Sequence, residues 1–500
     1  MNNLYLPKCF KEPPALESAV ARGPVKRRFA LFLLPFYAKD PNGSFGKHNL
    51  TPSLTFQSMA AVTPKGWSLK FWDENLMHGA PPLDPPPQVV GITVHLTFSK
   101  RAYELAELYR RNGSVVVLGG PHVASCPDEA AAHADIIAVG NGVVLWPRIL
   151  KDIEEGTPMP VYHADYVDAF DDEPAPDRGL LDKRNYLTVA SMIATRGCHN
   201  RCDFCYMSTK GVRMPYQMRR PESVAAEFAA LPGPYGVFID NNLGSNRGYL
   251  RELCRALKPV GKIWSAAVSI DVTEDPALIR EMAEAGCNGV FIGIETIDER
   301  NLADARKKTP PMADYERRLG MFHDSGIKVN GSFVLGFDHD YPDVFDRTVD
   351  WIESVRMECA TFHILTPYPG TPLFDKMNFE GRLLHKDWSL YDTAHAVFQP
   401  KNMSPEELER GYERCYRRMF SLASVLKRRP VEASEFPAYF AGYLIYKKMN
   451  LAWPFIIRRG LTSAFWAPFI GVARRQHFKK YGSQGTNDTV GVSAIQQPAR

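Results

Sequence analysis

The sequence predicts an α/β protein in which a doubly wound N-terminal domain precedes a partial (β/α)6 TIM-like barrel and a helical C-terminal region. Three observations predict this fold class. A chain of 500 residues exceeds one hydrophobic core and divides into several domains. Short apolar runs alternate with amphipathic segments in two successive regions, a pattern typical of parallel sheets with helical crossovers. Beyond Phe374 the apolar runs end and charged helix-forming segments take over.

The composition is that of a globular protein. Hydrophobic residues make up 45% and charged residues 23% of the chain, which excludes a wholly disordered protein. The net charge of +4 indicates no class of partner by itself. Residues 1–28 form an N-terminal arm without the apolar segment of a signal peptide, and no apolar run reaches roughly 18 residues. We therefore expect a cytoplasmic protein without a membrane-spanning helix.

The first alternating region, residues 29–157, predicts five strands of a doubly wound sheet. In such a sheet ligands bind beyond the carboxyl ends of the strands. Two glycine clusters, Gly119-Gly120-Pro121-His122 and Gly140-Asn141-Gly142, lie at these ends and let a large ligand approach the backbone, unless they only turn the chain. Neither cluster matches a dinucleotide or Walker motif. The strands are predicted at Phe29–Leu34, Leu69–Trp72, Val89–Val94, Val115–Leu118 and Ile136–Val139.

A polar connector, residues 158–187, precedes the second alternating region, residues 188–373. Its helices begin at an acidic residue followed by proline and end at glycine, as in Asp275–Gly286. Six strand–helix units predict a partial barrel with its site at the carboxyl ends of the strands. The strands are predicted at Val189–Thr195, Tyr235–Ile239, Ile263–Ser269, Gly289–Ile294, Val329–Leu335 and Thr361–Leu365.

Three cysteines follow the first barrel strand on one loop, as Cys198, Cys202 and Cys205. Their short C-x3-C-x2-C spacing lets the thiolates converge on one zinc ion or one iron–sulfur cluster. Zinc usually takes a fourth ligand, and His199 is too close in sequence to supply it easily. A cluster held by three cysteines leaves one iron open for catalysis, which favours it over structural zinc or unrelated buried cysteines. We expect the other six cysteines to be ordinary thiols of a reducing compartment.

The triplet and its position after the first of six units resemble the radical S-adenosylmethionine superfamily, over roughly Val189–Pro372. The resemblance implies that Cys198, Cys202 and Cys205 hold a [4Fe-4S] cluster whose fourth iron binds S-adenosylmethionine through its amino and carboxylate groups. An external donor of the flavodoxin or ferredoxin type would reduce the cluster. The sulfonium is then cleaved to methionine and a 5′-deoxyadenosyl radical, which abstracts hydrogen from an unactivated carbon.

Further positions resemble the family's S-adenosylmethionine site. Phe204 stands where an aromatic or apolar residue contacts adenine. Asp240-Asn241-Asn242 ends the second strand where the family binds the methionine amino group, although the common Gly-Gly-Glu is absent. Glu295 resembles the ribose or carboxylate contact, and Gly331-Ser-Phe-Val-Leu-Gly336 resembles the adenine-binding motif of the fifth strand.

A doubly wound domain before such a barrel resembles the cobalamin-binding subfamily, over about Phe29–Gly156. The resemblance implies a Rossmann-like cobalamin-binding domain. The D-x-H-x-x-G motif that supplies an axial histidine is absent, and many members of the subfamily bind the corrin without one. The residues that this resemblance implies at the corrin face are Thr93, Gly119, Gly120 and Gly142.

The C-terminal region, residues 374–481, is strongly basic, and residues 482–500 are predicted to be a disordered tail. Between Lys427 and Lys480 eleven Lys or Arg accompany only Glu432 and Glu435, a local charge of +9. Aromatic runs among these charges favour a helical cap on the barrel or a helix lying on an anionic membrane, at its inner face. Nucleic acid is the least favoured partner, and we expect none.

The resemblance implies an enzyme that methylates an unactivated carbon, with one S-adenosylmethionine as radical source and another to remethylate cobalamin. Membrane contact would indicate an apolar, lipid-like substrate. One alternative is a cobalamin-dependent rearrangement, cyclisation or oxidation without methyl transfer. The other is a non-enzymatic cobalamin or redox sensor.

Overall fold

The structure, a computed structural model, describes residues 28–36, 51–77, 79–166, 170–209, 211–212, 214–430, 435–436, 439–440 and 453–482. The predicted tail, apart from Gly482, and the predicted arm, apart from Arg28, lie outside the described residues, as does Cys9.

The N-terminal sheet is parallel and has the strand order β2-β1-β3-β4-β5-β6. Its strands are continuous apolar runs because helices cover both faces, and the side chains of Leu31, Phe32 and Leu33 are fully buried. The doubly wound fold is therefore confirmed, with its topological switch between β1 and β3. The strands are β1 (Phe29–Leu34), β2 (Ser68–Asp73), β3 (Val89–Thr93), β4 (Val115–Gly119), β5 (Ile136–Gly140) and β6 (Val161–Ala164). The helices are α1 (Thr55–Ala61), α2 (Ser99–Arg111), α3 (Pro121–Ser125), α4 (Pro127–Ala131) and α5 (Gly142–Glu155).

Parts of residues 158–187, predicted to be an exposed connector, are instead packed against the two sheets. Strand β6 pairs in parallel with β5, and Tyr162 is fully buried with its hydroxyl 2.8 Å from Asp152 Oδ2. Farther along, the buried Arg178 guanidinium donates to Glu227 Oε1 at 2.8 Å and to the Ser191 carbonyl at 2.6 Å. The segment therefore joins the two sheets as packed structure. Its four-residue strand is too short to stand out among polar neighbours.

The second sheet contains the six predicted parallel strands in the order β14-β13-β12-β11-β10-β7, as expected of a partial barrel. The barrel strands are β7 (Ser191–Met192), β10 (Tyr235–Phe238), β11 (Ile263–Val268), β12 (Cys287–Glu295), β13 (Lys328–Leu335) and β14 (Cys359–Ile364). The helices between them are α6 (Pro221–Ala230), α7 (Arg247–Leu257), α8 (Pro276–Glu284), α9 (Glu299–Asp304), α10 (Tyr315–Asp324) and α11 (Val344–Ser354). Helix α8 begins where predicted, since the Asp275 side chain accepts from Leu278 N.

The first barrel strand is shorter than predicted. Beyond Met192, the backbone amides of Ala194 and Thr195 donate to the carboxylate of Asp240 instead of extending the sheet. The chain then forms a small antiparallel pair, β8 (Thr195–Arg196) with β9 (Gln217–Met218), which was not predicted. The cysteine loop is the connection between these two strands.

The C-terminal region is helical in its described parts. It contains α12 (Pro372–Phe379), α13 (Pro405–Met419), α14 (Leu422–Lys427), α15 (Trp453–Arg458) and α16 (Thr462–Tyr481). Every described helix is too short or too polar to cross a membrane.

Helix α16 packs across the amino-terminal edge of the barrel strands. Its polar side chains hydrogen-bond to carbonyls at or just after the carboxyl ends of α7, α8 and α10, where cations and donors are favourable. The pairs are Arg474 Nε to Gly261 O (3.1 Å), His477 Nε2 to Ala283 O (2.7 Å), Lys480 Nζ to Asp324 O (3.1 Å) and Tyr481 Oη to Ser325 O (2.5 Å). Part of the basic charge of this region therefore caps barrel helices.

Candidate functional site

The cysteine loop brings Cys198, Cys202 and Cys205 to the carboxyl-end face of the barrel as free thiols. The loop is tightened by hydrogen bonds from Cys205 N and Ser208 Oγ to the Cys202 carbonyl, at 3.1 and 2.8 Å. Burial raises the pKa of Cys202 to about 12 and that of Cys205 to about 11. Thiols of this kind lose their protons to a metal centre, and three soft donors on one loop suit an iron–sulfur cluster.

The polar residues that follow β10 contact the cysteine loop and the segment just before it. The Asp240 carboxylate is buried. It accepts a hydrogen bond from Thr195 Oγ1 at 2.7 Å, in addition to those from the backbone amides of Ala194 and Thr195. Burial raises the pKa of Asp240 to about 6. The structure thus directs its oxygens toward the base of the cysteine loop, and a cofactor contact from Asp240 stays a prediction.

Asn242, the last residue of the predicted Asp240-Asn241-Asn242 segment, contacts the triplet directly, and this contact was not predicted. Its Nδ2 lies 3.8 Å from Cys198 Sγ and 2.9 Å from Ser269 Oγ. The preceding Asn241 donates to the hydroxyl of Tyr206 at 2.6 Å. Both amides follow a parallel strand at the edge where ligands bind, which was the available signal.

Glu295 ends β12 and forms a buried ion pair that sequence reasoning missed. Lys307 Nζ lies 2.5 Å from Glu295 Oε1 and 2.6 Å from the Gly293 carbonyl. Burial alone would lower the pKa of Lys307, but Glu295 raises it above its usual value. The pair lies near the cysteines, since the Ala305 carbonyl, two residues before Lys307, accepts from Asp203 N in the cysteine loop at 3.1 Å.

The remaining predicted residues of the barrel site contact apolar side chains. The ring of Phe204 packs edge-on against Phe337, with centroids 5.8 Å apart. A Cβ on Gly331 would lie 2.4 Å from the Met357 sulfur, and one on Gly336 would lie 2.7 Å from Leu408. Close packing thus accounts for both glycines, and adenine contacts from Phe204, Gly331 and Gly336 stay predictions.

A cavity of about 300 Å³ opens at the carboxyl ends of β3, β4 and β5. It is lined by all four residues expected at a corrin face, Thr93, Gly119, Gly120 and Gly142, by Gly140 of the second predicted cluster, and by the unpredicted Gly91. Gly120 and Gly140 have φ of +111° and +106°. A Cβ on them would lie 2.8 Å from Val94 O and 1.8 Å from Ala164 O. Close approach to neighbouring backbone and a positive φ thus account for both glycines, and a corrin contact from Gly120 stays a prediction.

The cavity also reaches the barrel. Tyr206, which directly follows Cys205, lines it together with Gly211, Val212 and Met214. The glycine-lined cavity and the cysteine loop therefore share a wall.

Comparisons with known proteins find two matching families and several similar proteins. Residues 192–352 match the Radical SAM superfamily, and residues 371–485 match a domain of unknown function, DUF4070. The chain is 28% identical over 380 residues to bacteriochlorophyllide d C-12(1)-methyltransferase of Chlorobaculum tepidum, covering 74% of this chain and 83% of that protein. It is 26% identical over 436 residues to hopanoid C-2 methylase of Rhodopseudomonas palustris, covering 82% and 81%.

Solved structures share the fold. TsrM of Kitasatospora setae, a radical S-adenosylmethionine methyltransferase with cobalamin and a [4Fe-4S] cluster bound, superposes with a TM-score of 0.59 at 16% identity, covering 88% of this chain and 100% of that one. The cobalamin-dependent S-adenosylmethionine radical enzyme OxsB superposes with a TM-score of 0.61 at 12% identity, covering 91% and 80%.

Proposed function

The chain is a radical S-adenosylmethionine enzyme, and we propose that it uses cobalamin to methylate an unactivated carbon of an apolar, lipid-like substrate. The observation that carries the proposal is the shared wall: Tyr206 follows the third cysteine and lines the glycine cavity. A cluster held by the triplet and a corrin held by the cavity would then face the same space.

The residues present fit both groups. Cys198, Cys202 and Cys205 offer three thiolates and no fourth cysteine on the loop, which leaves one iron for S-adenosylmethionine. The glycines at the ends of β4 and β5 let a large flat ligand lie against the backbone. When bound, the cluster with S-adenosylmethionine supplies radical chemistry and the corrin supplies a methyl group.

The protein's own role is to hold and orient these two groups and to exclude water from them. Phe56, Met59 and Trp146 give the cavity an apolar lining, which disfavours water beside a buried ligand. Glu295 offers a fixed carboxylate near the cysteine loop for the hydroxyl or ammonium groups of S-adenosylmethionine. Relatives named for bacteriochlorophyllide and hopanoid methylation support a large, mostly apolar substrate.

We also propose a peripheral contact with an anionic membrane through the C-terminal helices. Phe455, Leu461 and Phe469 are exposed apolar side chains, and Arg475 and Lys479 of α16 are exposed cations. Such a surface suits the headgroup region. Phe469→Ser should reduce co-sedimentation with phosphatidylglycerol vesicles, whereas Phe379→Ser, at a more exposed aromatic outside α15 and α16, should not. Equal loss in both variants would contradict this placement.

We propose that electrons come from an acidic donor of the flavodoxin or ferredoxin type at the cysteine loop. Arg201 and Arg306 are exposed there. Arg201→Glu should slow cluster reduction by flavodoxin and leave reduction by dithionite unchanged. A variant that flavodoxin reduces at the wild-type rate would contradict the docking site.

The methylation proposal is tested with anaerobic protein that carries cluster and cobalamin. With deuterated-methyl S-adenosylmethionine, a reductant and a lipid extract, it should form 5′-deoxyadenosine and a labelled product. Cys202→Ala should abolish both and lose iron, whereas Cys359→Ala should keep both. Unlabelled product with 5′-deoxyadenosine would indicate a rearrangement or oxidation, and no 5′-deoxyadenosine from the wild type would favour a sensor.

A further inference from the structure

Lys307 stands outside the motifs that suggested the site, yet it touches the residue that ends β12. Resting on the proposed function, we propose that Lys307 is a positioning residue: it fixes the Glu295 carboxylate in the orientation that binds S-adenosylmethionine.

The contacts of Lys307 leave it little freedom. Its Nζ donates to Glu295 Oε1 and to the Gly293 carbonyl, at 2.5 and 2.6 Å. The Lys307 and Glu295 side chains are 8% and 13% exposed. A buried charge that loses its partner is strongly unfavourable, so each side chain holds the other in place.

The backbone of Glu295 needs such support. Its φ is +68°, in the left-handed region that a side chain other than glycine rarely adopts. The pairing of β12 with β13 shifts register between Gly293 and Glu295. Strained conformations persist only where neighbouring contacts enforce them, and they concentrate at functional sites. Here the enforcing contact is the ion pair with Lys307.

Gly293 makes room for this pair. A Cβ on Gly293 would lie 2.3 Å from Glu295 Oε1 and 3.0 Å from Lys307 Nζ. Any larger residue at this position would push the carboxylate or the ammonium away.

The same segment of chain holds the cysteine loop. The Ala305 carbonyl accepts from Asp203 N at 3.1 Å, and Arg306 Nε donates to Asp203 Oδ2 at 2.9 Å. Asp203 lies between Cys202 and Phe204 in the loop. Residues 305–307 therefore join the end of β12 to the cysteine loop, so the orientation of Glu295 is set relative to the cysteines.

This arrangement leaves one carboxylate oxygen for a ligand. Lys307 occupies Oε1, and no described side chain donates to Oε2. An ionised carboxylate accepts strong hydrogen bonds from hydroxyl and ammonium groups. S-adenosylmethionine carries both, on its ribose and on its methionine moiety.

The test is a double-mutant cycle with Lys307→Met and Glu295→Gln on cluster-reconstituted protein. Equilibrium dialysis measures the affinity for S-adenosylmethionine, and electron paramagnetic resonance measures its effect on the reduced cluster. We expect Lys307→Met to weaken binding about tenfold alone but less than about twofold in the Glu295→Gln background, because it acts through that carboxylate. Lys308→Met, at the exposed neighbouring position, should bind as the wild type does.

Four outcomes would overturn the positioning role or its premise. Wild-type affinity in Lys307→Met excludes positioning, and additive losses in the double variant indicate that Lys307 contacts the ligand itself. A wild type that holds its cluster but binds no S-adenosylmethionine overturns the proposed function instead. If Lys307→Met does not fold, Gly293→Ala provides the second variant. We expect it to weaken S-adenosylmethionine binding with Lys307 still present. Wild-type affinity in Gly293→Ala overturns the positioning role.

Discussion

The hydroxyl of Tyr206 accepts a 2.6 Å hydrogen bond from the side-chain amide of Asn241. This bond holds the Tyr206 ring at the wall shared by the cysteine loop and the glycine cavity. The residue is thereby placed between the two proposed cofactor sites.

Tyr206 should couple radical formation to methylation. Tyr206→Ala would remove the wall, so we expect more 5′-deoxyadenosine per methylated product. Tyr206→Phe keeps the ring and loses one hydrogen bond, a change of about 1 kcal/mol, and should stay closer to the wild type. Chromatographic quantification of both products checks this, with the exposed Tyr341→Ala as control. An unchanged ratio in Tyr206→Ala would show that the ring does not separate the two sites.

Filling the glycine cavity should weaken cobalamin binding without unfolding the protein. A Cβ on Gly119 would lie 3.6 Å from Ala138 O, an ordinary contact, and Gly119 lines the cavity, so we expect Gly119→Val to fold and to reduce the cavity volume. We expect about a tenfold loss of affinity, measured by spectroscopic titration of the apoprotein. Gly320→Ala, at a position with no atom within 4 Å, is the control. Undiminished binding by Gly119→Val would place the corrin elsewhere.

Asp340 should make the wild type lose stability as pH rises. Burial raises its pKa from 3.8 to about 6, against hydrogen bonds from Gly336 N and Phe337 N. Because the folded-state pKa lies above the unfolded value, this contribution is complete below about pH 4 and is lost as pH rises through about 6.

Between pH 4 and 7 we therefore expect the wild type to lose about 2 to 3 kcal/mol of unfolding free energy relative to Asp340→Asn. Urea denaturation across this range checks it. Asp343→Asn, whose carboxylate is largely exposed, should show no such difference from the wild type. Parallel pH profiles for the wild type and Asp340→Asn would contradict the assignment.

Arg474 and Arg475 are adjacent in sequence but should differ in effect. Arg474 donates to the Gly261 carbonyl, so Arg474→Met should lower stability by about 1 kcal/mol. Arg475 is exposed, and Arg475→Met should change stability by less than about 0.5 kcal/mol while reducing binding to anionic vesicles. Thermal denaturation and vesicle co-sedimentation separate the two roles. A loss of vesicle binding in Arg474→Met together with a loss of stability in Arg475→Met would contradict both assignments.

Most strands of both sheets could be predicted from their apolar residues. Helices cover both faces of the N-terminal sheet, which makes its central strands continuous apolar runs, and buried residues alternate with less buried ones in barrel strands such as β11 and β14. The four-residue β6 and the two-residue strands β8 and β9 carry too little pattern to be recognised. The early end of β7 was not predictable either, since it depends on the Asp240 carboxylate, which lies 45 residues from Thr195.

In the candidate site, too, features that are local in sequence could be predicted and contacts between distant residues could not. The cysteine triplet and the glycine clusters are local in sequence, so both could be singled out from the residues alone, and the family resemblance implied their cofactors. Lys307 lies 12 residues beyond Glu295 and meets it only because the chain returns after α9. Asn242 reaches Cys198 across 44 residues for the same reason.

The sequence by itself determined most of the strands, which three thiols lie on one loop and where glycines follow the strands, because periodicity and spacing are properties of neighbouring residues. Only the tertiary structure decided that Lys307 holds Glu295, that Tyr206 is shared by the loop and the cavity, and that Arg474 and Lys480 cap barrel helices. Each of these contacts joins residues distant in sequence, and their meeting depends on how both sheets and α16 pack.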